Sequence, residues 1–483
     1  MKSFGNIAKD GQVRVVAFGA LTDGTPVVVN SDGTVSVVTE TSATQVLGSA
    51  TVFEAASSTN VQIVYDSTNN KVVIAYKDNG NSGYGTAIVG TVSGTSISFG
   101  TAVVFESAIS DPLSITYDAN AQKVVISYRD RGNSNYGTAI VGTVSGTSIS
   151  FGSAVVYESA TVTTSGSAYD ANAQKVVIAY RDGGNSNRGT AVVGTISGTS
   201  ISFGSATVFE TGETSYVGAV YDANAQKIVL AYRDETNSDN GTAIVGTITG
   251  TSISFGNATV FENAATVYPS ITYDSKEQKV VIAYQDDANS DYGTAIVGTV
   301  SGTSISFGTA VVFENAASSF VVATYDATAE KVVIAYQDGG NSDYGTVISG
   351  TVSGTSISFD SATVFESATT AYIALTHDSN AEKVVIAYRD YGNSNHGTSI
   401  VFQTGYTSTT LTSENYIGFS DGAYADTQSA VINTANTIDR NQSGLTAGQT
   451  YFVQNDGTIG TTAASPSVTA GTAISATELI VKG

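Results

Sequence analysis

The dipeptide Tyr-Asp recurs at Tyr65, Tyr117, Tyr169, Tyr221, Tyr273 and Tyr325, and His377 takes the seventh place, each position 52 residues after the last. A fixed period without insertions means one structural unit used seven times, so a repeat array must account for most of the 483 residues. Within a unit the runs "SITYD", "KVVIAYRD", "GTAIVGTV" and "SISFGTAVVF" are rich in β-branched and aromatic residues. Polar turns of the "DANAQK", "DGGNSDYG" and "VSGTS" kind separate them. In the second run Val124, Ile126 and Tyr128 point to one face, and Val125, Ser127 and Arg129 to the other. Apolar residues on both faces predict a sheet packed between two neighbours.

Four antiparallel strands per unit, repeated seven times, predict an all-β chain folded as a seven-bladed β-propeller. Radial packing covers both faces of each blade, and closing the ring removes the long exposed edges. An open β-solenoid is the rival, but its coils are usually shorter and its ends need caps. The seventh unit has three of its strands, "AYIALTHD", "KVVIAYRD" and "GTSIVFQT", and no "GTSISFG" follows. The missing piece lies at the other end, where "ATQVLGSATVFE" (43–54) sits one period before "TSISFGTAVVFE" (95–106). The N-terminal segment is therefore expected to supply the outer strand of the last blade.

This places the propeller over 41–404 and leaves an N-terminal tail, 1–40, and a C-terminal β module for attachment, 405–483. The tails resemble each other: "LTDGTPVVVNSDGTVSVV" from Leu21 parallels "LTAGQTYFVQNDGTIGTT" from Leu445, with Asp-Gly turns at Asp32 and Asp456. Closure brings both tails to the last blade, so they are expected to form one small β domain.

With 42 acidic residues against 20 basic ones, the net charge of −22 disfavours nucleic acid and anionic membrane surfaces as partners. The absence of cysteine removes disulfides, thiolate nucleophiles and Cys-ligated zinc. The start "MKSFGNIAKDGQVRVV" lacks the apolar core of a signal peptide, and no run approaches a membrane-spanning length.

Acidic residues recur as rings: Glu54 to Glu366 end the outer strand, Asp66 to Asp378 the inner one, and Asp78 to Asp390 follow "KVVIAY". Sevenfold repetition points to structure, because one active site needs its groups once. Lys71, Lys123 and their counterparts, five residues beyond the inner-strand Asp, are expected to pair with it across the hairpin. Asp338, Asn341 and Asp343 could meet a hard cation such as calcium, although Asp and Asn are also ordinary turn formers; no metal site and no cofactor are expected. Catalytic residues are not expected either. The chain has two histidines, His377 and His396, and no "GxSxG". His377 replaces a repeated tyrosine and reads as a packing substitute, while His396 reads as an exposed turn residue. "SGTSISFG" lacks the Lys and the helix of a phosphate loop and reads as a hairpin.

The units differ most in two connections on one end of the ring. One is the link from outer to next inner strand ("SAISDPLSI", "TGETSYVGA", "NAASSFVVA"). The other is the turn after "KVVIAY", which carries Tyr84, Tyr136, Arg188, Asn240, Tyr292, Tyr344 and His396 at one equivalent position. These seven are the candidate binding residues, since tyrosines among polar groups on short turns provide contact area and hydrogen bonds at low entropy cost.

The tandem units, of the form "YDANAQKVVIAYRDGGNSNRGTAVVGTISGTSISFG", resemble propeller repeats of tailed-bacteriophage virion and tail-fibre-like proteins. The end stretch "LTAGQTYFVQNDGTIGTTAASPSVTAGTAISATELIVKG" is similar to modules that end phage structural proteins. The resemblance implies a non-enzymatic virion component assembled in the host cytoplasm. The end module would contact other virion proteins, with room for self-association, and the propeller face would bind a host-surface glycan or protein. A purely structural head-decoration or tail-associated protein, or a glycan-degrading enzyme, are the alternatives. If the amino terminus latches the ring, deleting 1–54 will lower the melting temperature of the whole array, and an unchanged melting curve would count against closure.

Overall fold

A computed structural model of the chain describes residues 5–9 and 11–482. It contains two compact units, Thr44–Thr404 and a second made from the two chain ends.

In Thr44–Thr404 the strands close into one ring of successive four-stranded units, each antiparallel and hydrogen-bonded to the next in chain order. In the first unit Lys71–Asp78 pairs with Tyr84–Ser93 (Val72 opposite Gly90, Asp78 opposite Tyr84), and Tyr84–Ser93 turns back into Ser96–Phe99. The outer strand is broken after Phe99 and resumes in Val103–Asp118, whose first residues pair with the other half of the third strand. The expected link between outer and inner strands is no loop: Val103–Asp118 is one strand of 16 residues that leaves one unit and enters the next. Covering both faces of every blade buries the second strands throughout, and Val72, Val73, Ile74, Ala75 and Tyr76 are all 0% exposed.

Adjacent units are fastened by one repeated contact. A tyrosine hydroxyl buried in the second strand donates to the Glu that ends the preceding unit's outer strand, from Tyr76 to Glu54 (2.9 Å) through Tyr232 to Glu210 (3.1 Å) to Tyr388 and Glu366 (3.0 Å). An aromatic residue one place before that Glu packs on the same tyrosine, as Phe53 does on Tyr76 at 5.2 Å between ring centres. The Phe53 ring lies over Gly397, where a Cβ would come within 2.4 Å of it.

The ring closes through the amino-terminal segment. His396–Gln403 pairs with Val46–Leu47 (Phe402 opposite Leu47) and with the start of Thr51–Asp66 (Thr398 opposite Val52), so this segment is the outer strand of the last unit.

The chain-end unit holds a duplication. One sheet runs Val35–Val37, Pro26–Val29, Tyr416–Ser420, Ser429–Asn433, Gln12–Val16, with Gly5–Lys9 added at the edge. The other runs Ile459–Gly460, Thr450–Val453, Thr469–Ala473, Leu479–Val481, Ile438–Asp439, which is the same chain order in space. The two Asp-Gly turns match bond for bond: Asp32 Oδ1 accepts from the amide (2.9 Å) and hydroxyl (2.7 Å) of Thr34, and Asp456 Oδ1 does so from Thr458 at the same distances. The propeller is thus inserted into the first copy of a duplicated β module, between its third and fourth strands. Both sheets contribute to one core that includes Val28, Tyr416, Tyr451 and Leu479.

Burial pushes the carboxyls of Glu106, Glu158, Glu314 and Glu366 above their ordinary 4.5. A raised carboxyl contributes stability that is fully present below 4.5 and is lost as pH rises through the raised value. The melting temperature is therefore expected to rise as pH is lowered from neutrality toward 4.5. Replacing the four glutamates by glutamine should flatten that slope in differential scanning calorimetry, and an unchanged slope would assign the effect to overall charge.

Candidate functional site

The long strands cross between units through a β-bulge, and at the bulge Asn60, Tyr216, Tyr268, Phe320 and Tyr372 have φ of 50° to 53°. Asn tolerates this left-handed conformation but bulky residues avoid it, so four aromatics at one repeated position are strain held in place by the strands on either side. Pro112 and Thr164 occupy the same position in the second and third units. In the fourth to seventh units the four aromatic rings form a continuous arc. Tyr216 meets Tyr268 at 5.3 Å, Tyr268 stacks on Phe320 at 5.3 Å and 29°, and Phe320 meets Tyr372 at 5.4 Å. Tyr216 is 36% exposed.

Tyr216 and Tyr268 of the arc line a cavity of about 350 Å³ on the axis of the ring, to which inner-strand residues of every unit contribute. Its polar wall includes Gln62, Ser114, Ser165, Ser167 and Ser270. Ser114 and Ser167 share a hydrogen bond of 2.7 Å, and the Ser165 hydroxyl is buried without a partner. Burial and the neighbouring Tyr216 push the Tyr268 hydroxyl upward, so it is a neutral donor at ordinary pH.

Around the bulge lies a second ring of residues, those that follow the buried tyrosine: Lys77, Arg129, Arg181, Arg233, Gln285, Gln337 and Arg389. Lys77 (2.7 Å), Arg129 and Arg131 (both 2.8 Å) converge on Asp111. Burial raises the Asp111 carboxyl, but these three cations outweigh it and hold the group at about 2. Arg181 pairs with Glu213 and Glu235, and Arg233 with Asp239.

The seven residues singled out from the sequence stand at the first position of each third strand, opposite the Asp that ends the second strand, as Tyr84 does opposite Asp78. They lie on the same end of the ring as the bulge, since Tyr84 also pairs with Ile109 in the link. Tyr84, Tyr136, Arg188, Tyr292, Tyr344 and His396 are half-buried, and Asn240 is buried with a bond to Asn263. His396, expected in an exposed turn, begins a strand with partners on both sides. No hydrogen bond or ring contact joins any two of the seven among the described residues. The aromatic arc was missed because it sits inside the variable link, where three of seven copies are not aromatic.

The acidic rings hold the backbone. Asp338 Oδ1 accepts from the amides of Gly340 (2.9 Å) and Asn341 (3.2 Å), which turns the candidate cation ligand inward. Asp118 likewise takes the amide of Ala121 at 2.8 Å. The expected Asp–Lys pair across that hairpin does not form: the Asp is spent on the turn, and Lys123 reaches the Gln122 carbonyl instead. His377 sits on the preceding unit's turn at Asp326 (3.1 Å) and Thr328 (3.5 Å), as Tyr117 sits on Thr68 (2.6 Å).

No protein-family model and no curated protein sequence matches the chain. Among solved structures it is similar to the BP39L lectin from Burkholderia pseudomallei, with 8% identity and a TM-score of 0.52 over 75% of this chain and 98% of that one. It is also similar to an intramolecular trans-sialidase from Ruminococcus gnavus (8% identity, TM-score 0.44, 74% and 97% covered). A chain of the mitotic checkpoint complex gives 10% identity and a TM-score of 0.48, with 75% and 95% covered. The ring is a β-propeller.

Proposed function

We propose that the propeller is a carbohydrate-binding module whose ligand lies on the aromatic arc at the mouth of the central cavity. The observation that carries this reading is the arc itself: four rings in sequence, held at strained backbone positions, beside a wall of serine hydroxyls. Sugar rings present C–H faces that pack on aromatic surfaces, and their hydroxyls need donors and acceptors close by. The Burkholderia protein of similar fold is a lectin, which agrees with this reading. We read the site as binding without hydrolysis, since most glycosidases use two carboxylates and the residues lining the cavity are Ser, Gln, Tyr and apolar groups.

The setting of a bacteriophage virion rests on the resemblance of the repeats and end module. In that setting the duplicated module attaches the protein to the particle and the propeller meets the host-surface glycan.

Isothermal titration against oligosaccharides that bind the wild-type chain tests the site. Tyr268→Asn and Phe320→Asn, which install the residue the first unit uses at this position, should each weaken binding roughly tenfold. Full affinity in both variants would overturn the assignment to the arc, and loss of binding on changing Tyr136, Tyr292 and Tyr344 to Ala would move the site to the outer positions. Mass spectrometry of purified particles tests the setting: the chain is expected as a stoichiometric component, and its absence refutes the virion role.

A further inference from the structure

We infer, building on the carbohydrate-binding reading, that the preferred sugar carries a carboxylate and that Arg389 recognises it. Five cations follow the buried tyrosines of the second strands, and four of them are neutralised: Lys77 and Arg129 by Asp111, Arg181 by Glu213 and Glu235, and Arg233 by Asp239. Arg389 differs. Its side chain has no ion pair and no hydrogen bond among the described residues, and its Nε is buried without a partner. Its guanidinium lies 4.5 Å from the centre of the Tyr391 ring.

The lack of a carboxylate follows from the sequence. Relative to their cations, Asp111, Glu213, Glu235 and Asp239 occupy places that, around Arg389, fall to Ala371, Ser57, Asn79 and Asn395. All four acids used elsewhere in the ring are replaced by neutral residues here. At the same time Tyr391 appears where other units have Asn79, Arg131, Gly183, Glu235, Asp287 or Gly339. A charged side chain left half-buried without a counter-ion is costly, so this arrangement has to be offset by something else.

The position fits the aromatic arc. Arg389 pairs across the strands with Ala371, the neighbour of Tyr372 that ends the arc. Tyr391, itself 45% exposed, lies against the guanidinium, and because Nε is buried the terminal Nη pair is the donor edge left for a ligand. That edge is a planar fork that matches a carboxylate through two parallel N–H···O bonds. A sugar packed on Tyr372 would then turn its acid group toward Arg389. Uronic and nonulosonic acids share this chemistry, and a sulfate ester offers the same charge with a different geometry.

The test compares a glucuronic-acid-containing oligosaccharide, its carboxyl-reduced counterpart and a sulfated neutral oligosaccharide of the same length, by calorimetry on the full chain. The wild type is expected to bind the acid form roughly tenfold or more tightly than the reduced form, as for a charge-assisted hydrogen-bonded pair. Arg389→Gln, which copies Gln285 and Gln337 of two other units and so should fold with an unchanged melting temperature, is expected to level the two. Equal wild-type affinity for acid and reduced forms, a preference for the sulfated form over the acid, or an acid preference that survives in Arg389→Gln, would each overturn the inference and leave carbohydrate binding standing. Failure of the wild type to bind any oligosaccharide, neutral or acidic, would overturn both.

Discussion

Every unit of the ring depends on a tyrosine hydroxyl that has no water to turn to. Tyr76 and its six counterparts are 0% exposed, and a buried phenol without a partner costs on the order of 1–3 kcal/mol. The partner comes from the neighbouring unit, so the bond between Tyr76 and Glu54 is a seam and not an internal strut. Phe53, one residue earlier, packs on the same tyrosine and over Gly397, so hydrogen bonding, aromatic packing and backbone approach meet at one point. The closing seam is built from the same three parts as the others. A ring closed by a non-covalent latch loses its weakest seam first, and using the common seam at the latch avoids making one.

Clamping each long strand at two seams also explains where the strain collects. The first residues of Val103–Asp118 are paired in one unit and its last residues in the next, so the crossing between them must absorb the change of direction. A bulge does this by setting one residue in the left-handed region. That residue is not needed for either ladder, and its identity varies: Asn60, Tyr216, Tyr268, Phe320 and Tyr372 take the left-handed conformation, whereas Pro112 and Thr164 hold the same position without it. The crossing thereby yields seven variable side chains around one axis, five of them at left-handed backbone, so sequence freedom and convergence coincide there.

The period, the strand count per unit and the latch were legible because each leaves a local mark. Turn residues recur at fixed offsets, and the seventh unit visibly lacks the strand that the amino terminus supplies. The Asp-Gly turns of the chain ends were legible for the same reason, since an Asp that caps the turn and a Gly at positive φ leave few substitutes, as at Gly33 and Gly457. The remaining strands of the duplicated module keep only their burial pattern, and "YIGFS" does not look like "TAGTA" although both occupy the same place in their sheets. In the sequence the candidate tyrosines look like turn residues because they follow a polar turn. Whether a residue ends a turn or begins a ladder depends on partners far along the chain, and Tyr84 has Asp78 on one side and Ile109 on the other.

A sevenfold ring with a single purpose has to break its symmetry somewhere, and it does so twice at one end. The aromatic arc covers the fourth to seventh units, and the cation without a counter-ion stands in the seventh. The two departures come close in the strands, since Arg389 pairs with Ala371 beside Tyr372, and under the proposed reading the molecule would carry one site in place of seven weak ones. The net charge of −22 bears on how an acidic sugar would reach it. Screening limits the overall repulsion to roughly 8–10 Å at physiological salt, whereas a desolvated guanidinium acts at contact. Charge here would therefore fix the orientation of a ligand already held by its apolar face, and would do little to steer it in from solution. Recognition of this kind favours a polymer presented at high local density on a surface over a free acid in dilute solution, because the encounter rate has to come from presentation and not from attraction.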